Sequence, residues 1–449
     1  MRPTFVLRGV RVLDPLSGRD DERRDVWFED GRLLAIDARI DKGGVAVIDL
    51  DASGGRHGAV LSPGFIDLHA HLREPGDPDA ETVSSGARAA AAGGFTQVVA
   101  MANTDPPIDA PERVAEACAH AGGAAARVLQ VAALSRGLSG SELTDIRGCI
   151  AAGAVAISDD GRNAATPRLL VDALRTAGAS ARAVLVHPED EEAIAQINNA
   201  HGSVVRCAQR PPGTESRAVD LAIRALAHAG AGRLHLQHLS TAESVETLRR
   251  ARDGGLAVTA EVTPHHLGMW QPVAQPPEPA ALLKVNPPLR TEHDRNAMVH
   301  ALREGVIDAV ATDHAPHRRV EKGAEYDSAA PGMIGLETAL AACITIGGMG
   351  GNWLPALVER LTAGPYRVLG AGSGVFEPRL HTGEPATCVV FDPDAEWVVG
   401  AEPSASRSSN TPLLGERLRG KVLLTLVDGR IAYHDASRLQ LAAETAAHA

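Results

Sequence analysis

RLHLQHLSTAESVETLRRARDGGLAVTAEV, residues 233–262, is the stretch on which the fold turns. A short apolar run (233–239) is followed by a segment with helical spacing (241–254) and then by a second apolar run (257–262). Two strands joined through a helix lie parallel in one sheet, because a tight hairpin would instead set them antiparallel. The same unit repeats outward. Short apolar runs recur at QVVAM (97–101), RVLQVAAL (127–134), AVAIS (154–158), AVLVH (183–187) and VIDAVAT (306–312). Residues 81–93, 110–122, 166–179, 215–229 and 291–303 carry helical spacing in alanine-rich sequence. The count approaches eight, so the expected fold is α/β, a (β/α)8 TIM-type barrel. A doubly wound open sheet is the rival, weakened because no glycine-rich dinucleotide loop follows the first strand.

Both ends of the chain read differently. Residues 4–13 (TFVLRGVRVL), 25–40 and 45–50 are short strands separated by turns such as Glu29-Asp30-Gly31. Residues 386–392 (ATCVVFD) and 421–433 (KVLLTLVDGRIAY) are equally β-rich, with a turn at Asp428-Gly429. A β domain made from either end alone would be marginal in size. One small β-sandwich domain formed from both chain ends is expected, with its parts at 1–58 and 376–449 and the barrel at 59–375.

Composition bounds the function. Of 449 residues, 44% are hydrophobic, which suffices for a large core, and nothing signals disorder. Lys and Arg number 44 against 56 Asp and Glu, a net charge of −12 that argues against general affinity for nucleic acid or anionic membrane. Uncharged stretches are too short to span a bilayer, and the N-terminal MRPTFVLRGVRVLDP lacks the apolar block of a signal peptide. Five cysteines (Cys118, Cys149, Cys207, Cys343, Cys388) are scattered and never paired as CxxC. Neither a disulfide scaffold nor a thiolate zinc site is expected, and a cytoplasmic location is. The 18 histidines stand against only four lysines, Lys42, Lys284, Lys322 and Lys421.

The sharpest local feature is GFIDLHAHLREPG (64–76), in which Asp67, His69, His71 and Arg73 alternate. On a strand they share one face, so two imidazoles can reach one metal in a barrel mouth. An isolated HxH is as readily a pair of core or surface histidines. Here, however, His187 ends AVLVH, His238 lies near the end of RLHLQHL, and Asp313 follows VIDAVAT. Carboxyl ends of barrel strands form the active-site face, so all of these converge there. Neutral imidazoles with carboxylates suit Zn2+ and leave positions open for water.

These residues resemble the amidohydrolase superfamily. Closer still, DLHAHLREPG (67–76), MANTDP (101–106), EVTPHHL (261–267), KVNPPLR (284–290), ATDHAPH (311–317), PGMIGLE (331–337) and NTPLLG (410–415) resemble the bacterial type I dihydroorotases, in family order. Many superfamily members bridge two metals with a carboxylated lysine, yet no lysine occurs between Lys42 and Lys284. AVAISDDG instead puts Asp159 and Asp160 at a strand end, and the resembled enzymes use aspartate there. Family spacing favours Asp160, with Asp159 left open.

The resemblance implies two zinc ions, one held by His69, His71 and Asp313, the other by His187 and His238, with the aspartate of 159–160 touching one or both. It implies a metal-bound hydroxide nucleophile, Asp313 as general acid and base, and reversible cyclisation of N-carbamoyl-L-aspartate to L-dihydroorotate in de novo pyrimidine (UMP) biosynthesis. It further implies that Arg73, Asn103 and His317 bind the substrate carboxylate. Asn286 would contact the ring, and main-chain groups at Pro331 and Gly332 its amide edge. The adjacent His265 and His266, read as strand residues pointing to opposite faces, receive no ligand role. His314 is read as orienting Asp313 or a metal ligand. Residues 318–330 (RRVEKGAEYDSAA) read as a loop above the mouth, either a lid or inert surface.

Expected partners are the small-molecule substrate, a second copy of the chain and aspartate carbamoyltransferase. The alternatives are another cyclic amidohydrolase (hydantoinase, dihydropyrimidinase, allantoinase) or a non-catalytic homologue scaffolding aspartate carbamoyltransferase. A superfamily deaminase is disfavoured, since no HxxE-type site stands out. Relatives acting on other rings generally carry the bridging lysine and lack the LREPG arginine. A scaffold would have lost ligands, whereas every expected position is filled.

Overall fold

The two chain ends meet in one sheet. In the computed structural model, which describes residues 2–50, 58–161, 166–190, 192–196, 210–270, 280–323, 325–326 and 328–439, the N-terminal strands are β1 (Phe5–Asp14), β2 (Arg19–Glu29), β3 (Arg32–Asp37), β4 (Val47–Asp49) and β5 (Val60–Pro63). Cys207 and two positions of the 318–330 loop lie outside the described residues. The barrel strands are β6 (Phe65–Ala70), β7 (Phe95–Ala100), β8 (Arg127–Ala132), β9 (Ala156–Ser158), β10 (Ala183–Val186), β11 (Arg233–Leu236), β12 (Val258–Val262) and β13 (Ala309–Val310). The C-terminal part contributes β14 (Cys388–Val398), β15 (Arg417–Val427) and β16 (Arg430–His434).

The end sheet runs β16-β15-β14-β5-β1-β2-β3, with β4 on β1. The two halves join where β5 pairs antiparallel with β14, Ser62 opposite Val389. Its far edges fold back on one another. A Cβ at Gly31 would stand 2.0 Å from the Gly429 carbonyl oxygen, so two glycine turns, both at φ 74°, pack backbone to backbone. Ala386 N–H donates to Gly31 O, and Gly429 N–H to Ala386 O, each at 2.9 Å. Enclosed between the layers are Phe5, Leu7, Val26, Phe28, Leu61, Val390, Leu424 and Leu426, contributed by both ends. The sandwich expected from the sequence therefore has its core only when both ends are present.

The second sheet has eight parallel strands in sequence order, β6 through β13. Its helices fall where the spacing placed them, for example Val83–Ala92, Pro167–Gly178, Ala242–Asp253 and Glu292–Glu304. Each of these four starts on a threonine (Thr82, Thr166, Thr241, Thr291) whose side chain accepts the backbone N–H three residues on. Alanines 87, 89, 90 and 91 are buried, and their small side chains let that helix approach the strands closely. Strand β13 is far shorter than the apolar run 306–312 suggests. At its end the backbone swings into the left-handed region at Asp313 (φ 46°), which ends regular pairing. The seam closes partly through a side chain instead: Asp67 on β6 accepts Thr312 N–H at 2.8 Å and Thr312 Oγ1–H at 2.6 Å. His71 N–H donates to His314 O at 2.8 Å just beyond.

Candidate active site

Barrel geometry gathers the strand-end histidines and aspartates in one buried cluster. His69 Nε2 lies 3.1 Å from Asp160 Oδ1 and 3.6 Å from Asp313 Oδ1. His71 Nε2 lies 3.1 Å from Asp313 Oδ1 and 3.5 Å from Asp160 Oδ2. His187 Nδ1 is 2.8 Å from His238 Nε2 and 3.8 Å from Asp160 Oδ1. Among the described residues two groups can each hold a metal ion: His69, His71 and Asp160, and Asp160, His187 and His238, with ligand atoms inside 4.8 Å of one another. Asp160 is common to both. The donor set also fits a cation in a second respect. His69 Nε2 and Asp160 Oδ1 are buried, face each other, and lack hydrogen-bond geometry.

The electrostatics favour positive charge here. Burial alone would raise the Asp160 carboxyl, but His69 and His71 outweigh it and hold it well below the usual carboxylate range. Burial, aided by His187 and His69, pushes His238 down to about 3, so its ring is neutral and keeps a lone pair to offer. His238 and Asp313 both sit at positive φ, 31° and 46°, conformations that cost non-glycine residues energy and concentrate at functional sites.

Of the adjacent aspartates, Asp159 turns away. Its Oδ1 accepts Ser135 N–H at 2.8 Å and its Oδ2 takes the Ser135 hydroxyl, tying β9 to the preceding loop. Asp160 faces the imidazoles. Sequence reading missed Glu261 on β12, buried in the barrel, whose Oε1 accepts His69 Nδ1–H at 2.9 Å and whose Oε2 bonds His235 Nε2 at 3.1 Å. Burial opposes ionisation of Glu261, yet His235 and His69 hold it down at about 2. Such a carboxylate fixes the imidazole tautomer and leaves Nε2 to face the cluster. A glutamate inside the apolar run AVTAEV was the available signal. Glu261→Gln is expected to weaken metal retention about 10–100-fold, read by competition with a chelator while the far-UV spectrum stays unchanged.

Arg73 and His317 lie together, with Arg73 Nη2 3.5 Å from His317 Nε2, and Arg73 Nε–H donates to Pro316 O at 3.1 Å. Burial and the neighbouring Arg73 push His317 down to about 4. Asn103 stands beside two of the candidate ligands: its Oδ1 is 2.9 Å from His71 Nδ1 and its Nδ2 donates to Asp160 Oδ2 at 3.1 Å. Asn286 lies 3.2 Å from His187 Nε2 and is held by Glu189 (3.2 Å) and Arg210 (2.9 Å), two residues absent from the sequence reading. The Pro331 carbonyl lies 2.9 Å from His317 Nε2. Gly332 has φ 133°, and a Cβ there would come within 2.6 Å of Ala315 Cβ, so the close approach requires glycine.

Two readings need correction. His265 and His266 are on a short helix, Pro264–Gly268, because Thr263 caps it and Pro264 opens it. His266 bonds Thr263 Oγ1 and Pro287 O, at 2.8 and 3.1 Å. His314 orients neither Asp313 nor a metal ligand through its ring: Nε2 donates to buried Glu81 at 3.1 Å and Nδ1 accepts Gly335 N–H at 3.1 Å. The segment 318–330, read as either a lid or inert surface, contains a helical turn, Arg319–Lys322, whose Lys322 donates to Ala281 O and Lys284 O, each at 2.9 Å.

Imidazoles and a shared carboxylate converging in two clusters from four parallel barrel strands, with Asp313 from a fifth beside them, define an amidohydrolase-type barrel. Residues 58–244 match the family model described as Dihydro-orotase-like. Proteins named dihydroorotase from Anaeromyxobacter dehalogenans (41% identity; 97% of this chain, 99% of the relative), Aquifex aeolicus (36%; 96% and 99%) and Lactococcus lactis (35%; 96% and 99%) align along nearly the whole length. The chain belongs to the dihydroorotase family. Among solved structures, the L-hydantoinase (dihydropyrimidinase) from Arthrobacter aurescens superposes with TM-score 0.81 at 24% identity, covering 97% of this chain and 96% of that one. The dihydropyrimidinase from Brevibacillus agri gives TM-score 0.81 at 22%, covering 96% and 95%. At such identity these neighbours speak for the fold alone.

Proposed function

We propose that the chain catalyses the reversible cyclisation of N-carbamoyl-L-aspartate to L-dihydroorotate with loss of water. The observation that carries this is the Arg73–His317 pair beside the metal cluster, a cationic clamp for a carboxylate, in a chain 41% identical to a dihydroorotase. The donor set fits two zinc ions: His69 and His71, with Asp313 beside them, would hold one, His187 and His238 would hold the other, and Asp160 belongs to both groups. When bound, zinc lowers the pKa of water and polarises a carbonyl.

The chain's own groups do the remainder. In the hydrolytic direction Asp313 takes the proton of the attacking water and returns it to the ring nitrogen as the C–N bond breaks; cyclisation reverses both transfers. Arg73, Asn103 and His317 hold the carboxylate, Asn286 meets the ring, and the main chain at Pro331 and Gly332 reads its amide edge. The domain limits are 1–58 with 376–449 for the small domain and 59–375 for the barrel. The protein works in the cytoplasm as a homo-oligomer that docks aspartate carbamoyltransferase; among the described residues no helix is long and apolar enough to cross a membrane.

The test is metal analysis by mass spectrometry together with turnover of dihydroorotate, hydantoin and dihydrouracil, with and without aspartate carbamoyltransferase. Turnover of none, or a metal-free protein, sinks the reading; preference for an uncharged ring supports the hydantoinase alternative. Arg73→Ala should raise KM for dihydroorotate about 100-fold with metal retained, since a charged hydrogen-bonding partner is lost. Metal loss in that variant would show the clamp assignment wrong.

A further inference from the structure

NTPLLG (410–415) lies in the connection between β14 and β15, outside the barrel strands. The residues leading to it cross from the small sheet to the barrel mouth. Ala405 and Ser406 N–H donate to Glu337 Oε1 at 3.1 and 3.2 Å, Arg407 N–H to Glu81 Oε1 at 3.2 Å, and Ser408 Oγ–H to Ala80 O at 2.7 Å. At the end of this strap Asn410 is 4% exposed. Its Nδ2 donates to Ala315 O at 3.0 Å and to Gly332 O at 3.2 Å, and its Oδ1 accepts His317 N–H at 3.1 Å. Asn410 O also accepts Ile334 N–H at 3.1 Å.

Both donors and the acceptor of one amide are thus engaged by main-chain groups of two loops. One loop follows Asp313 and carries His317; the other carries Pro331 and Gly332. We propose that Asn410 is a positioning residue for substrate binding, stapling these two loops so that His317 and the Gly332 main chain present one surface to the substrate. The inference rests on the dihydroorotase reading, in which both loops touch substrate. It assigns the small domain a part in recognition: the staple comes from its strand connection, although Asn410 touches no metal ligand. A buried amide with complete bonds fixes its partners far better than an apolar side chain, because every alternative arrangement leaves a polar group unpaired.

The experiment uses the full-length, metal-loaded protein. Asn410→Ala should raise KM for L-dihydroorotate about tenfold or more, while kcat changes less than about threefold and zinc content matches wild type. Asn410→Asp is the second variant. Its Oδ1 still accepts His317 N–H, but a carboxylate then faces the Ala315 and Gly332 carbonyls, so KM should again rise with kcat retained. An unchanged KM in the folded variants, a fall in kcat at constant KM, or failure of both variants to fold would overturn the proposal and leave the amide a purely architectural part. Wild-type turnover separates the two levels of inference: if wild type itself fails on dihydroorotate the functional reading falls, and if it succeeds only the role of Asn410 is at stake.

Discussion

Asp313→Asn is expected to lower kcat by about 10³-fold while the protein stays folded, because general acid–base groups contribute roughly 10²–10⁴-fold. Asparagine keeps the shape and tolerates the left-handed backbone at φ 46°, but it cannot take a proton from water. The surroundings are built to keep this carboxylate ionised. Burial works against the charge, yet His69 and His71 more than compensate and hold the group far below its ordinary range. The residue before it is pinned where Asp67 accepts Thr312 N–H at 2.8 Å. Steady-state kinetics with thermal denaturation and metal analysis form the check. Activity within about tenfold of wild type in a metal-loaded variant would remove Asp313 from the proton path.

The second large effect separates two neighbours. Asp160→Asn should strip metal and abolish turnover, a loss of about 10³-fold or more, because the carboxylate shared by both clusters is gone. Asp159→Asn should retain metal and instead destabilise the fold by about 1–3 kcal/mol, since it weakens the buried acceptor for Ser135 N–H and hydroxyl. Mass-spectrometric metal content and melting temperature report the two losses independently. The opposite pattern, metal lost from Asp159→Asn and kept in Asp160→Asn, would reverse the assignment of the pair.

What the sequence made legible follows from local periodicity. Strand–helix alternation gave the barrel, β-rich ends gave the joint sheet, and HxH with single strand-end histidines gave the cluster. The absence of lysine between Lys42 and Lys284 by itself excludes a lysine bridge from the middle barrel strands. Between adjacent Asp159 and Asp160 only family spacing favours Asp160, because the choice itself lies in how the chain turns after β9. Arg210 and Asn410 act through partners distant in sequence, which no spacing rule reaches, whereas Glu261 carried a local signal as a glutamate inside an apolar run. The histidine pair 265–266 was placed on a strand although Thr263-Pro264 already carried the signature of a helix start.

The end sheet bears on the order in which the molecule is made. Ser62 pairs with Val389 across almost the whole barrel sequence, so closing that loop early carries a large entropic cost. Pairing of such distant strands is slow unless the intervening chain has already collapsed and brought the ends together. The barrel sequence is therefore expected to collapse before β5 meets β14, so that the connection carrying Asn410 settles late, together with β14 and β15. The contacts that Asn410 makes with the His317 and Gly332 loops are then among the last that a folding chain completes.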